Sequence, residues 1–352
     1  MDSMDKTGSL QAEVKDALAS NRPLVIEGHA SKSFYGFPQP RDRQRLNIGG
    51  HLGVIDYAPE ELVIRARAGT PLSEVNRLLG ENRQLLAFEP PDFAAGSTIG
   101  GVIASGLSGP RRPYAGSARD FVLGVRLITG TGDVLEFGGQ VMKNVAGYDV
   151  SRLVTGALGT LGVILDVSLK VLPAPETETS RAITCSRGDF QARLQPMARI
   201  FPLSAAAWHD GHLKVRFSGS EAAVGAAIKN TGGEEIEPGF WSQLTTFECF
   251  PQARELWRIS VAPASGLFLE EAEIIDWGGG VRWLVNPDFD PRSRLADEDG
   301  HATLVKTARD PLESGVEVFQ PLTEPVLGIH RGLKKRFDPA GIFNPGRMYR
   351  DF

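Results

Sequence analysis

Gly96-Ser97-Thr98-Ile99-Gly100-Gly101 can present consecutive backbone N–H groups to a pyrophosphate, as an anion-binding nest does, and the Ser97 and Thr98 hydroxyls add donors. A second glycine loop, Glu27-Gly28-His29-Ala30-Ser31, follows directly on the apolar run Pro23-Leu24-Val25-Ile26. Tyr114, Gly116, Ser117 and Asp120 stand just beyond, where backbone amides could edge a ring system. Gly156, Gly159 and Gly162 are spaced GxxGxxG and precede a strand-like run instead of following one, so they are not the strand–turn–helix fingerprint of a nicotinamide dinucleotide. Any one of these loops is more often a tight turn than a phosphate cradle; their order along the chain points to a ligand carrying a pyrophosphate.

Other groups offer less. His209 and His212 have the spacing of a short metal clip but flank Asp210-Gly211, which predicts a cross-strand pair on a hairpin. His301 stands alone as a general-base candidate, with a plain strand-end histidine as its rival. Arg111 and Arg112 could offset phosphate or flavin charge, hold a carboxylate, or form a solvated pair. Lys143 and Asn144 are polar candidates beside Gly147 and Asp149, and Asp149 also suits a helix cap. Trp257, Trp277 and Trp283 are expected in a core, not in an electron relay. Cys185 and Cys249 are the only cysteines, too few for an iron–sulfur cluster, which needs about four thiolates.

The elements that would position these groups can be read from periodicity. Leu10, Val14 and Leu18 predict a helix over 9–20, followed by strands at 23–26, 54–57 and 62–68. Thr70-Pro71-Leu72-Ser73-Glu74 predicts a helix capped by Thr70 and ended by Gly80. Residues 88–120 lack periodicity and are dense in Gly, Pro and Ser, which is uncommon in a compact domain unless the stretch has a function. Strands are expected at 121–129, 134–137 and 162–173, with a helix from Asp149 to Val154. After Pro173-Ala174-Pro175 the glycine loops cease and strands alternate with helices, as in an inserted α+β domain with an antiparallel sheet. Pro325 to Phe337 predicts a helix, and the compact loop 338–346 follows it.

Composition bounds the function. At 352 residues the chain suits two domains, or one with a large insertion. With Lys+Arg at 38 against Asp+Glu at 43, the net charge is −5, which argues against a general nucleic-acid binder. No stretch approaches the roughly 18 apolar residues of a membrane span, and MDSMDKTGSL is not a secretory signal. The expected location is cytoplasmic, with docking at the inner membrane only through partners.

The motifs PP-x(4)-GSTIGG, GSARDFVLG, KNVAGYD, GTLGVI and FDPAGIFNPGR, in that order after the Gly28 loop, resemble the FAD-linked oxidases of the vanillyl-alcohol oxidase and p-cresol methylhydroxylase type. Within them, GPRRPYAGSARDFVLG, VMKNVAGYD and Ile275 to Gly279 are similar to the FAD-binding subunits of bacterial glycolate oxidases. The resemblance implies an α+β fold: a p-cresol methylhydroxylase-type FAD-binding domain of two α+β subdomains over 1–175, an antiparallel α+β cap over 176–315, and a return segment over 316–352. It implies non-covalent FAD, although His29 could suggest a covalent link. It places Gly28, His29, Ala30, Ser31, Pro90, Gly96, Ser97, Thr98, Ile99, Gly100 and Gly101 about the pyrophosphate and ribityl chain. Gly116, Ser117, Asp120 and Asn144 would lie near the ring system, and Gly159, Gly162, Val163 and Ile164 near the adenosine. Asn344 would return to the FAD domain. The first loop reads GHASKSF where many relatives have a GGGT-like run, and the His-rich GDGNxH metal element of the hydroxy-acid enzymes has no match.

The implied function is an electron-transferring FAD subunit of a glycolate oxidase (dehydrogenase) complex, passing electrons to an acceptor other than oxygen. Its partners would be a catalytic FAD subunit and an iron–sulfur subunit, with a small hydroxy acid handled by the complex. The alternatives are a self-sufficient FAD oxidase of another hydroxy acid or alcohol, and a structural subunit with a vestigial flavin site.

Overall fold

The computed structural model describes residues 4–93, 96–139, 149–237, 239–295 and 300–352. Its first half carries β1 (Leu24–Glu27), β2 (Gln44–Asn47), β3 (Val54–Ala58), β4 (Val63–Arg67), β5 (Gln84–Leu85), β6 (Val122–Ile128), β7 (Val134–Gly138), β8 (Val163–Lys170) and β9 (Leu172–Pro173). Six helices accompany them: α1 (Thr7–Ala19), α2 (Leu72–Glu81), α3 (Ile99–Ser105), α4 (Arg112–Ala115), α5 (Ala118–Phe121) and α6 (Val150–Val154). The strands form an antiparallel five-stranded sheet in the order β3-β4-β8-β6-β7. β8 is its centre and is buried along nearly all its length, so its near-continuous apolar run suits a strand packed on both faces. Asp166 within it is tolerated because Arg65 and Arg126 pair with it at 2.8 and 2.6 Å.

β1 and β2 pair in parallel, and the C-terminal return adds a third segment. Leu24 bridges Phe343 in parallel, with Leu24 N–H donating to Ile342 C=O at 2.7 Å and Asn344 N–H to Leu24 C=O at 3.0 Å. Residues more than 300 apart in sequence thus close the sheet on which the first glycine loop is mounted. Leu10, Val14 and Ala17 of α1 and Leu72, Val75 and Leu79 of α2 enter the common core at helical spacing.

The second half carries β10 (Thr177–Thr184), β11 (Leu203–His209), β12 (His212–Gly219), β13 (Glu234–Glu235), β14 (Glu255–Val261), β15 (Ile274–Asp276), β16 (Val281–Val285) and β17 (Gly300–Thr307). They make one antiparallel sheet in the order β13-β10-β12-β11-β15-β16-β14-β17. Helices α7 (Phe190–Ile200) and α8 (Glu221–Thr231) cover one face with Phe190, Leu194, Val224 and Ala227. Trp257, Ile259 and Val261 of β14 point into that core. Helix α9 (Gly239–Thr245) supplies Trp241 and Leu244 to the opposite face, where Leu256, Trp283 and Val305 lie. Trp257 and Trp283 are therefore core residues, as expected. Helices α10 (Pro311–Ser314) and α11 (Glu324–Phe337) lead back to the first half.

The hairpin at Asp210-Gly211 forms with His209 opposite His212, and both turn residues have positive φ, 51° and 72°, as a type I′ connection requires. Asp149 caps α6, accepting from Arg152 N–H at 3.1 Å. Three expectations fail. Residues 88–120 are not structureless: α3, α4 and α5 lie there, too short for a hydrophobic period to declare itself. Thr70 does not cap α2; the cap is Pro71, and the buried Thr70 hydroxyl instead accepts Gly53 N–H at 2.9 Å. Gly80 does not end α2, which runs to Glu81.

Candidate functional site

The loop after β1, helix α3 and the C-terminal return enclose a cleft of about 500 Å³. Gly28, His29, Ala30, Ser31, Thr98, Gly101 and Asn344 line it, so seven of the residues named from sequence meet there. Thr98 crowds both glycines, Gly28 the more closely. A Cβ on Gly28 would fall 2.7 Å from Thr98 Oγ1, and one on Gly101 3.3 Å from the same atom. Gly28 therefore lets the first loop pack closely on Thr98 at the start of α3.

The pyrophosphate contacts expected of Gly96–Gly101 need correction. Ser97 N–H donates to the Asp92 carboxylate at 2.7 Å, Ile99 N–H to Thr70 C=O at 2.9 Å and Gly100 N–H to Ala68 C=O at 2.7 Å. Gly101 N–H faces Thr98 Oγ1 at 3.3 Å. These amides build the start of α3 and pin it to β4 and its following loop, so they are not free as a nest. Gly100 serves packing, since its Cβ would meet Ala68 Cβ at 2.7 Å, and Ile99 is wholly buried.

Lys32, Arg41, Arg45 and Arg347 line the cleft, with Glu27 as the acidic counterweight, 3.5 Å from Arg45. Lys32 is buried and donates to Ser97 Oγ at 2.7 Å, joining the two glycine loops. Burial pushes its ammonium down to about 8, opposed by the charge of Asp92. Arg347 reaches back from the C-terminus to the carbonyls of Phe37, Lys32 and Ser33 at 2.9, 3.0 and 3.1 Å. Its burial lowers the guanidinium to about 10, with Arg45 adding to the shift. A glycine-walled, cationic cleft of this size fits a diphosphate-bearing dinucleotide. Sequence reading passed over both residues, although Lys32 stands within GHASKSF and Arg347 directly follows Asn344-Pro345-Gly346.

Asn344 lines the cleft but spends its amide on the fold. Its Oδ1 accepts Ile26 N–H at 2.8 Å and its Nδ2 donates to Leu158 C=O at 2.7 Å. Gly159, at φ 72°, leaves room for that amide; a Cβ would sit 2.8 Å from Asn344 Nδ2. Gly162 passes under Ile128 C=O, and Val163 and Ile164 are buried in β8 opposite Ile128 and Leu127. None of these three lines the cleft. Pro90 is half-buried and also lies off its wall. Lys143, Asn144 and the KNVAGYD motif lie outside the described residues.

Gly116, Ser117 and Asp120 line a different hollow, of about 340 Å³, at the seam between the two halves. Asp120 caps α5 by accepting Ser117 N–H and O–H, each at 2.8 Å. Those bonds outweigh its desolvation and hold the carboxyl below its usual range. The two neighbouring arginines part company. Arg111 pairs with Glu89 and Glu178 at 3.2 and 2.5 Å, while Arg112 lies 4.2 Å above the Trp277 ring with no ion pair among the described residues. Arg216 of β12 meets the same Glu89 at 2.6 Å, so one carboxylate ties the halves together. Nearby Asp276 is fully buried and pushed up to about 7 by desolvation. Among the described residues no group of His, Cys, Asp and Glu is arranged to hold a metal ion. None of the described helices is long and apolar enough to cross a membrane.

The FAD binding domain family matches residues 3–138. Glycolate oxidase subunit GlcE of Escherichia coli strain K12 is 43% identical across 99% of this chain and 98% of its own length. Glycolate oxidase subunit GlcD of Bacillus subtilis strain 168 is 42% identical over 44% of this chain and 33% of the relative. A solved alkyldihydroxyacetonephosphate synthase superposes with a TM-score of 0.65 at 15% identity, covering 96% of this chain and 74% of that one. The last likeness shows the fold alone, the p-cresol methylhydroxylase type expected from the motifs.

Proposed function

Because the chain belongs to the glycolate oxidase GlcE subunit family, we propose that it is the electron-transferring flavin subunit of a complex that oxidises glycolate to glyoxylate. It is an FAD-binding flavoprotein, and its relatives include a glycolate oxidase subunit and a D-2-hydroxyglutarate dehydrogenase. The end-to-end match to a glycolate oxidase subunit carries the reading, and the second match, to a GlcD subunit, supports a multi-subunit assembly. Bound FAD supplies two-electron acceptance and one-electron release. In this reading Lys32, Arg41 and Arg347 hold the diphosphate, Lys32 also ties the two glycine loops together through Ser97, and Asn344 fixes β1 against Leu158 beneath the first loop. The two cysteines are too few for an iron–sulfur cluster, so the onward path to a non-oxygen acceptor requires a Cys-rich partner chain. Oxidation of the acid falls to a catalytic flavin partner in a cytoplasmic complex that docks peripherally at the membrane.

Purification from the native host tests this directly. The expected result is co-elution with a larger flavoprotein and an iron–sulfur protein, with glycolate-dependent dye reduction by the complex and little by the isolated chain. Full glycolate turnover by the isolated, FAD-loaded chain would sink the division of labour.

A further inference from the structure

The cap sheet carries a cluster of polar groups that neither the cofactor cleft nor the Glu89 ion pairs use. Arg258 of β14 stands directly opposite Trp283 of β16. Asp276 of β15 lies one pair along the same face, opposite Val281. Register alone therefore brings a guanidinium, an indole and a carboxyl together, and the same three residues line a cavity of about 20 Å³. Leu107, Ser108 and Pro110 of the FAD-binding half close it from across the seam, and Val305 walls it from the cap.

The polar atoms at this cavity do not satisfy one another. Asp276 Oδ1 accepts Trp277 N–H at 2.6 Å, which leaves Oδ2 for another donor. The buried Arg258 Nε and Trp283 Nε1 have no hydrogen-bond partner among the described residues, although Trp283 neighbours that same carboxyl. Each orphaned N–H carries a desolvation cost that a bridging group would remove. Volume and charge narrow what that group is. About 20 Å³ exceeds the roughly 10–15 Å³ that one water needs, yet it is too small for an organic ligand or a polyatomic anion. Two N–H donors turn away a cation, and the carboxyl turns away a halide. A water accepts two hydrogen bonds and donates two, which matches a pair of donors beside one acceptor.

We propose that the seam cavity binds one water molecule, which accepts from Arg258 Nε–H and Trp283 Nε1–H and donates to the Asp276 carboxyl. Arg258 and Asp276, which make no direct ion pair among the described residues, are then joined through the water. The bridge ties β14, β15 and β16 together beneath the segment that carries α3 into the seam, so it helps to set how the cap seats on the FAD-binding half. The site stands on the cavity and its three polar groups and does not depend on the function proposed above.

The test uses the FAD-loaded chain with its tryptophans labelled with nitrogen-15. The Trp283 indole signal, assigned by its loss in Trp283→Phe, should show a rotating-frame Overhauser contact to water, of the sign that marks direct contact and not exchange. Trp208 is the internal control: its indole N–H donates to Cys185 C=O at 2.9 Å, and it should show no such contact. Val305→Ile adds a methyl group to the cavity wall and should expel the water, so that the contact at Trp283 vanishes while FAD content is unchanged. A crystal structure of the FAD-loaded chain should place a water within hydrogen-bond distance of all three groups. No water contact at Trp283 in the unmutated chain overturns the site, as does a contact that persists in Val305→Ile. A urea midpoint raised by Val305→Ile also overturns it, because filling a dry cavity stabilises whereas expelling a bonded water does not. If Val305→Ile does not fold, the spectrum and crystal structure of the unmutated chain decide alone.

Discussion

Lys32 is the residue on which the cofactor cleft turns. Its ammonium is buried, tied to Ser97, and held at about 8, so it is charged at neutral pH and neutral well above pH 8. Attraction for a diphosphate should then weaken as pH rises through about 8, and FAD binding near that pH should take up protons. Lys32→Met should weaken FAD retention at least tenfold, about 1.4 kcal/mol, and abolish the proton uptake; calorimetry in buffers of different ionisation enthalpy reads both. Lys32→Arg should restore affinity without the uptake. Asp276 offers a second test. Its folded value of about 7 lies above the ordinary 3.8, so between those limits the folded state binds the extra proton. Stability should therefore fall as pH rises from about 4 to 7. Asp276→Asn, which keeps an acceptor for Trp277 N–H, should flatten that part of a urea-midpoint profile.

Among the elements, the β1 strand and the C-terminal return show how distant pieces share one job. Asn344 satisfies Ile26 N–H and Leu158 C=O, the first in a half-buried and the second in a buried bond. Asn344→Ala should cost about 2–4 kcal/mol in chemical unfolding, since it orphans two backbone groups. The same change should loosen FAD more than it loosens the cap. Helix α3 makes a related point. The GSTIGG segment reads as a free nest, yet the amides of Ser97, Ile99 and Gly100 are consumed by Asp92, Thr70 and Ala68. A glycine-rich string reports only that Cβ atoms are unwelcome. Whether a ligand or a neighbouring backbone is the reason depends on what packs there, and at Gly100 it is Ala68.

For the whole molecule, the seam between the halves is held by a charged network centred on Glu89. It joins Arg111 in the first half to Arg216 on β12, with Glu178 on β10 closing the set. Arg216 is almost fully buried, so losing the Glu89 charge leaves it only the longer 3.6 Å pairing with Glu178 and little water. Glu89→Gln should cost about 1–3 kcal/mol and split a single calorimetric transition into separate ones for the two halves. The sequence by itself determined the α+β class, most strands and the Asp210-Gly211 hairpin, while the resemblance carried by its ordered motifs implied the FAD chemistry and the return of the C-terminus to the first half. These are legible because periodicity, turn residues and ordered motifs are local. The close packing of Gly28 on Thr98, the union of Lys32 with Ser97 and the divergence of Arg111 from Arg112 were decided only in three dimensions. Each depends on which group a long side chain finds across the fold, and neighbouring residues in the chain carry no record of that.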